Sequence, residues 1–67
     1  MLKYELIIDN ILAEKELSYA QAAALTKVPK STLYKICTGA IDPRFSTLIK
    51  ISNGLNVPLE ELYKKKL

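Results

Sequence analysis

Between Lys27 and Lys50 the chain gathers Lys27, Lys30, Lys35, Arg44 and Lys50 against a single acid, Asp42, and interleaves them with Ser31, Thr32, Tyr34 and Thr38. Ammonium, guanidinium and hydroxyl groups donate to phosphate oxygens and to the O6 and N7 acceptors of guanine, so the chemistry on offer is recognition of a polyanion. Bond-making chemistry lacks its parts. The chain has no His, no Gly-rich phosphate loop and no Cys/Asp/Glu group with ligand spacing, so it reads as no enzyme and as needing no metal or other cofactor. Glu60 and Glu61 are adjacent, which turns them about 100° apart on a helix and prevents them from facing one another.

These donors need a scaffold that turns them to one side. Over Leu17–Gly39 the pattern predicts two short helices joined by a tight turn, spanning about residues 18–37. The second would turn Lys30, Ser31, Tyr34 and Lys35 outward and Leu33 and Ile36 inward, the arrangement of a helix lying in a DNA groove. Ser18 with Gln21 forms a capping box at the start of the first of these helices. The alanines at 20 and 22–24 favour helix and let a crossing helix come close. Val28 anchors the turn, Pro29 suits the next helix start, and Gly39 suits the left-handed residue after its end.

Around this pair the spacing of Tyr4, Ile7, Ile8 and Ile11 predicts an amphipathic first helix over about 3–15. Leu2, Leu6 and Leu12 widen its apolar side, either as core or as a partner surface. A fourth helix is expected from about Arg44 to Asn53, closed by Gly54, and a short fifth through Leu59, Leu62 and Tyr63. No alternating segment of strand length stands out. The expectation is an all-α, compact five-helix domain occupying residues 1–67, with short loops and no linker.

Charge is distributed unevenly. Residues 1–26 carry −2, residues 27–50 carry +4 and residues 51–67 carry +1, so positive charge concentrates on the outward-facing helix and the segment C-terminal to it. Lys64, Lys65 and Lys66 suit the negative end of a final helix, or add to phosphate attraction. The single Cys37 fits a reducing cytoplasm and reads as a small half-buried hydrophobe. Glu5 and Asp9 interrupt the N-terminal apolar segment, so it does not read as a signal peptide, and no run is long enough to span a membrane.

The string Leu17-Ser18, Ala23, Thr26, Val28, Ser31-Thr32-Leu33, Lys35-Ile36, Gly39, Pro43, Thr47-Leu48, Ile51, Leu55, Val57 and Leu59-Glu60-Glu61-Leu62 resembles the Cro/C1-type helix-turn-helix family, also called XRE. The resemblance implies a lambda-repressor-like fold and a transcriptional regulator of double-stranded DNA in a bacterial or phage-infected cytoplasm. It also implies roles at matching positions. Lys30, Ser31 and Lys35 fall where the family reads bases, with Tyr34 beside them either touching DNA or packing its ring at the core edge. Tyr19 stands where Gln usually contacts phosphate, Thr38 and Arg44 fall at backbone-contacting positions, and Thr32 reaches a base methyl or a phosphate. Lys27, a further backbone contact, occupies a turn position where Gly is common, at a cost of about 1 kcal/mol. Ala22 replaces a larger residue, for which Leu25 or Leu12 is expected to compensate.

One short helix gives little specificity, so a homodimer reading an inverted repeat is expected, most simply as a repressor. Leu59, Leu62, Tyr63 and Leu67 could supply its face, although Leu59 and Leu62 fit the monomer core equally well. The competing expectation is a module that holds a regulatory protein partner, as an anti-repressor or antitoxin does. The clustered cations argue against it.

Overall fold

The computed structural model describes residues 3–66. β1 (Lys3–Leu6) leads into four helices: α1 (Ile8–Glu14), α2 (Tyr19–Thr26), α3 (Lys30–Cys37) and α4 (Phe45–Leu55). A single 3₁₀ turn at Leu59–Glu61 and β2 (Tyr63–Lys66) complete the order. The fold is thus mostly helical with a small sheet, a correction to the all-α, five-helix expectation.

Both corrections lie at the chain ends. The helix expected over residues 3–15 divides into β1 and the shorter α1, because Tyr4 and Leu6 alternate with Lys3 and Glu5 in a period of two. The same residues satisfied a helical spacing, and a partner strand decided between them. β2 supplies that partner, antiparallel to β1 in the register Lys3↔Lys66, Tyr4↔Lys65, Glu5↔Lys64 and Leu6↔Tyr63. The expected fifth helix is correspondingly one turn, closed by Leu62 N–H donating to the Leu59 carbonyl at 3.0 Å. Ile7 N–H donates to the Leu62 carbonyl at 2.9 Å, so the ribbon is bonded directly to the start of α1.

The core is shared by every helix. Ile8, Ile11 and Leu12 come from α1, Ala22 from α2, Leu33 and Ile36 from α3, and Ile51 and Leu55 from α4, with Val28 and Leu62 filling in from the connections. Each large aliphatic side chain so buried contributes about 1.5–3 kcal/mol. Leu12 belongs to this core, whereas Leu25 is 51% exposed and compensates for nothing lost at Ala22. Close helix approach does that work instead.

α4 runs past its expected end at Asn53, through Gly54 to Leu55, and Asn56 at φ 57° is the left-handed residue that ends it. Gly54 therefore has a different task from capping. A Cβ there would lie 2.5 Å from both the Leu25 carbonyl oxygen and the Thr26 Cα, so only glycine lets α4 seat against the end of α2. The alanine-rich α2 crosses α4 here, and the helix pair that carries the exposed cations is held by that contact.

Candidate nucleic-acid interface

α2 begins with its capping box closed in both directions. Gln21 N–H donates to Ser18 Oγ at 3.1 Å, and Ser18 N–H donates to Gln21 Oε1 at 2.8 Å. At the other end Thr26 is buried, and its hydroxyl donates to the Ala22 carbonyl at 2.7 Å while accepting from Val28 N–H at 3.3 Å. One side chain thus satisfies a donor of the turn that no backbone carbonyl takes up. Lys27 adopts φ 62°, ψ 24°, the left-handed conformation that its position demands, and Val28 is buried beneath it. Pro29, at φ −54°, leads into α3.

On α3, Lys30, Ser31, Tyr34 and Lys35 are all exposed, with Leu33 and Ile36 buried opposite. Thr32 is half-buried and sits at the margin of that face. The helix ends as the position of Gly39 predicts: Gly39 has φ 81°, its N–H donates to the Ile36 carbonyl at 3.2 Å, and Ala40 N–H donates to the Lys35 carbonyl at 2.8 Å. These two bonds complete a Schellman motif. Thr38 is exposed, but its hydroxyl donates to the Lys35 carbonyl at 3.3 Å, so it must rotate before donating elsewhere.

Electrostatically the outer face is unbalanced. Among the described residues the ion pair present is Lys64 Nζ to Glu5 Oε1 at 3.3 Å, on the terminal ribbon. Lys27, Lys30, Lys35 and Arg44 are exposed and have no carboxylate within ion-pair distance among those residues. Arg44 precedes α4 with extended backbone at φ −73°, ψ 158°, which leaves its side chain outside the helix. Such a run of unneutralised cations is unfavourable to itself and favourable to a polyanion.

Tyr19 makes a contact across the turn. It is half-buried, and its ring meets that of Tyr34 edge to face, with centroids 5.7 Å apart and planes at 80°. Tyr34 packs against the Tyr19 ring and, still 55% exposed, presents the remainder to solvent. The sequence carried no signal for this contact, since residues 19 and 34 meet only once the turn is made. Burial chiefly, and the Asp9 carboxylate next, push the Cys37 thiol up, while the neighbouring Tyr19 hydroxyl opposes the shift. The thiol is therefore less ionised than a free cysteine.

The residues expected at a dimer face separate. Leu62 is fully buried and Leu59 is half-buried against the core, so both serve the monomer; Leu67 lies outside the described residues. Tyr63 remains partly exposed and meets Tyr4 edge to face at 5.5 Å. With Leu6 and Leu48 these two rings line a shallow apolar depression. Among the described residues no three His, Cys, Asp or Glu side chains group as metal ligands, and no helix is long and apolar enough to cross a membrane.

Two helices joined by the three residues between Thr26 and Lys30, the second turning a basic face outward, define a helix-turn-helix domain. The chain belongs to the helix-turn-helix family HTH_3, of the XRE type, which it matches over residues 8–62. Among solved structures it is similar to a crystal structure of a protein from Bacteroides fragilis, provisionally described as DNA-binding, with a TM-score of 0.79. The two are 24% identical, and the match covers 92% of this chain and 100% of that one. No curated protein matches the chain.

Proposed function

We propose that this domain is a sequence-specific regulator of transcription that binds double-stranded DNA with α3 in the major groove. The observation that carries the reading is the exposed, unpaired set of cations on α3 and its flanks, presented by a rigidly capped helix pair. Lys30, Ser31, Tyr34 and Lys35 meet base edges, the lysines at guanine acceptors. Lys27, Arg44, Thr38 and, from the margin, Thr32 meet the phosphate backbone and set the register of the helix.

A single α3 covers only a few base pairs, so the domain works as a homodimer on an inverted repeat with half-sites about 34 Å apart. The apolar depression of Tyr4, Leu6, Leu48 and Tyr63 supplies a face for the second copy, in place of the buried Leu62. Occupying such a repeat in a bacterial or phage promoter would block polymerase, which makes the domain a repressor.

Selection from a random duplex pool tests this, run with wild type beside the Lys30→Ala/Lys35→Ala variant. Wild type should enrich an inverted repeat that the variant loses or alters. If neither enriches any sequence, the domain is a holder of a protein partner instead.

A further inference from the structure

We infer that Tyr19 is a positioning residue for base recognition: it fixes the ring of Tyr34 on the outer face of α3 without touching DNA itself. The inference rests on the DNA-reading function proposed above and deepens it, by assigning one specificity determinant to a pair of side chains.

The geometry supports it from both ends of the contact. Tyr34 is 55% exposed, and a side chain that open ordinarily samples several rotamers and loses that freedom on binding. Here its ring is met edge to face by Tyr19, at 5.7 Å and 80°, within the range where aromatic pairs attract beyond simple area burial. Tyr19 can serve as the fixed partner because it is itself held. It opens α2 immediately after the Ser18 cap, and it is half-buried and packed against the core. The contact therefore spans the turn, from the first residue of α2 to the middle of α3.

A Tyr34 ring held in this way presents a fixed apolar surface between Lys30 and Lys35. Apolar side chains in the major groove discriminate by packing on the thymine methyl group. The structure thus assigns Tyr34 to a thymine in each half-site, flanked by the guanines that the lysines favour. Pre-organisation of the ring lowers the ordering cost of that contact, so losing it should weaken discrimination roughly twofold to tenfold at one base pair.

The test compares wild type, Tyr34→Ala, Tyr19→Leu, Tyr19→Phe and Tyr19→Leu/Tyr34→Ala, each confirmed as folded by thermal melting. Binding is measured to the selected site and to single-base variants of it, at several salt concentrations. Tyr34→Ala and Tyr19→Leu should relax preference at the same base pair, Tyr19→Phe should retain it, and the double variant should lose no more than Tyr34→Ala. In the free protein, NMR relaxation of the Tyr34 ring should show restriction that Tyr19→Leu releases and Tyr19→Phe keeps. A uniform loss across all sequences with a flatter salt dependence in Tyr19→Leu would make Tyr19 a phosphate contact and overturn the inference. So would an unchanged base profile, or a Tyr34 ring equally mobile in wild type. Wild type lacking any preferred sequence would overturn the DNA-reading function itself.

Discussion

The helix-turn-helix and the terminal ribbon reach their structures by opposite routes. From Ser18 to Ala40 the backbone is settled by near neighbours: the Ser18–Gln21 box, the Thr26 hydroxyl between Ala22 and Val28, and the two hydrogen bonds from Gly39 and Ala40 that end α3. The ribbon pairs Lys3–Leu6 with Tyr63–Lys66, so it forms only when nearly the whole chain has been closed. Closing so long a loop is entropically unfavourable, and four-residue strands repay little of it unless the core between them is already packed. The difference separates duties. The locally fixed unit carries Lys27, Lys30 and Lys35, and the ribbon closes the core and lines an apolar depression with Leu48 of α4.

Local bonds alone do not hold the helix pair in place, and the largest predicted effect measures how far they fall short. Gly54→Ala gains about 1 kcal/mol of helix propensity. It also drives a Cβ to 2.5 Å from the backbone of Leu25 and Thr26, where neither atom can swing aside. Overpacking against unyielding atoms costs about 3 kcal/mol or more, so the clash wins. In a domain of this size the melting temperature should fall by more than about 12 °C, read by circular dichroism. A variant that melts like wild type would show that the helix pair stands without its seat on α4.

The second effect is on binding and contrasts the two basic regions. Lys30→Ala and Lys35→Ala should each weaken DNA binding by about 1–3 kcal/mol and relax preference at one base pair. Their melting temperatures should stay near that of wild type, because both side chains are exposed and unpaired among the described residues. Lys64→Ala and Lys65→Ala on the ribbon should change binding far less. Equal losses from both regions, measured by titration at fixed salt, would mean that charge is pooled over the surface and not read at α3.

That contrast also explains what the sequence could show. Ser18, Gln21, Pro29 and Gly39 act within a few residues of themselves, and their types therefore revealed the boundaries of α2 and α3. Tyr4 and Leu6 satisfied helical and strand spacing alike, and only their pairing with Lys65 and Tyr63 resolved it. Gly54 looked like a helix end because its reason, the backbone of α2, is distant in sequence. The candidate face divides in the same way: the outward set on α3 was legible from periodicity, whereas the Tyr19–Tyr34 contact and the burial of Leu62 depend on tertiary packing.

Lys27→Gly sharpens the local half of the comparison. A lysine held at φ 62° bears about 1–2 kcal/mol of strain, and glycine relieves it while giving back part through a freer unfolded chain. The net gain should be about 0.5 kcal/mol, with the melting temperature raised by about 3 °C. DNA binding should move oppositely, with the logarithmic salt slope reduced by about 1 as a phosphate contact is lost. Alkaline pH probes the same unit through Cys37. Its folded thiol is raised above the ordinary value, so the associated stability is complete below about pH 8.5 and is lost as pH climbs from there through the raised value. Denaturation midpoints should fall over that window, and less steeply in Cys37→Ala.

The smallest effect belongs to the ribbon. Glu5 and Lys64 face one another across the strands at 3.3 Å, with 42% and 59% of their side chains exposed. An ion pair that open is screened by solvent and contributes at most about 0.5 kcal/mol. Glu5→Gln keeps the shape and removes the charge, leaving Lys64 beside Lys65 and Lys66. Urea midpoints at low salt should shift slightly downward, and the shift should vanish at about 1 M salt, where the screening length is about 3 Å. A loss of about 2 kcal/mol or more that persists in high salt would mean that the ribbon is held by this pair. The roles would then reverse, with the chain ends fixed by a specific contact as firmly as the helix-turn-helix is by its caps.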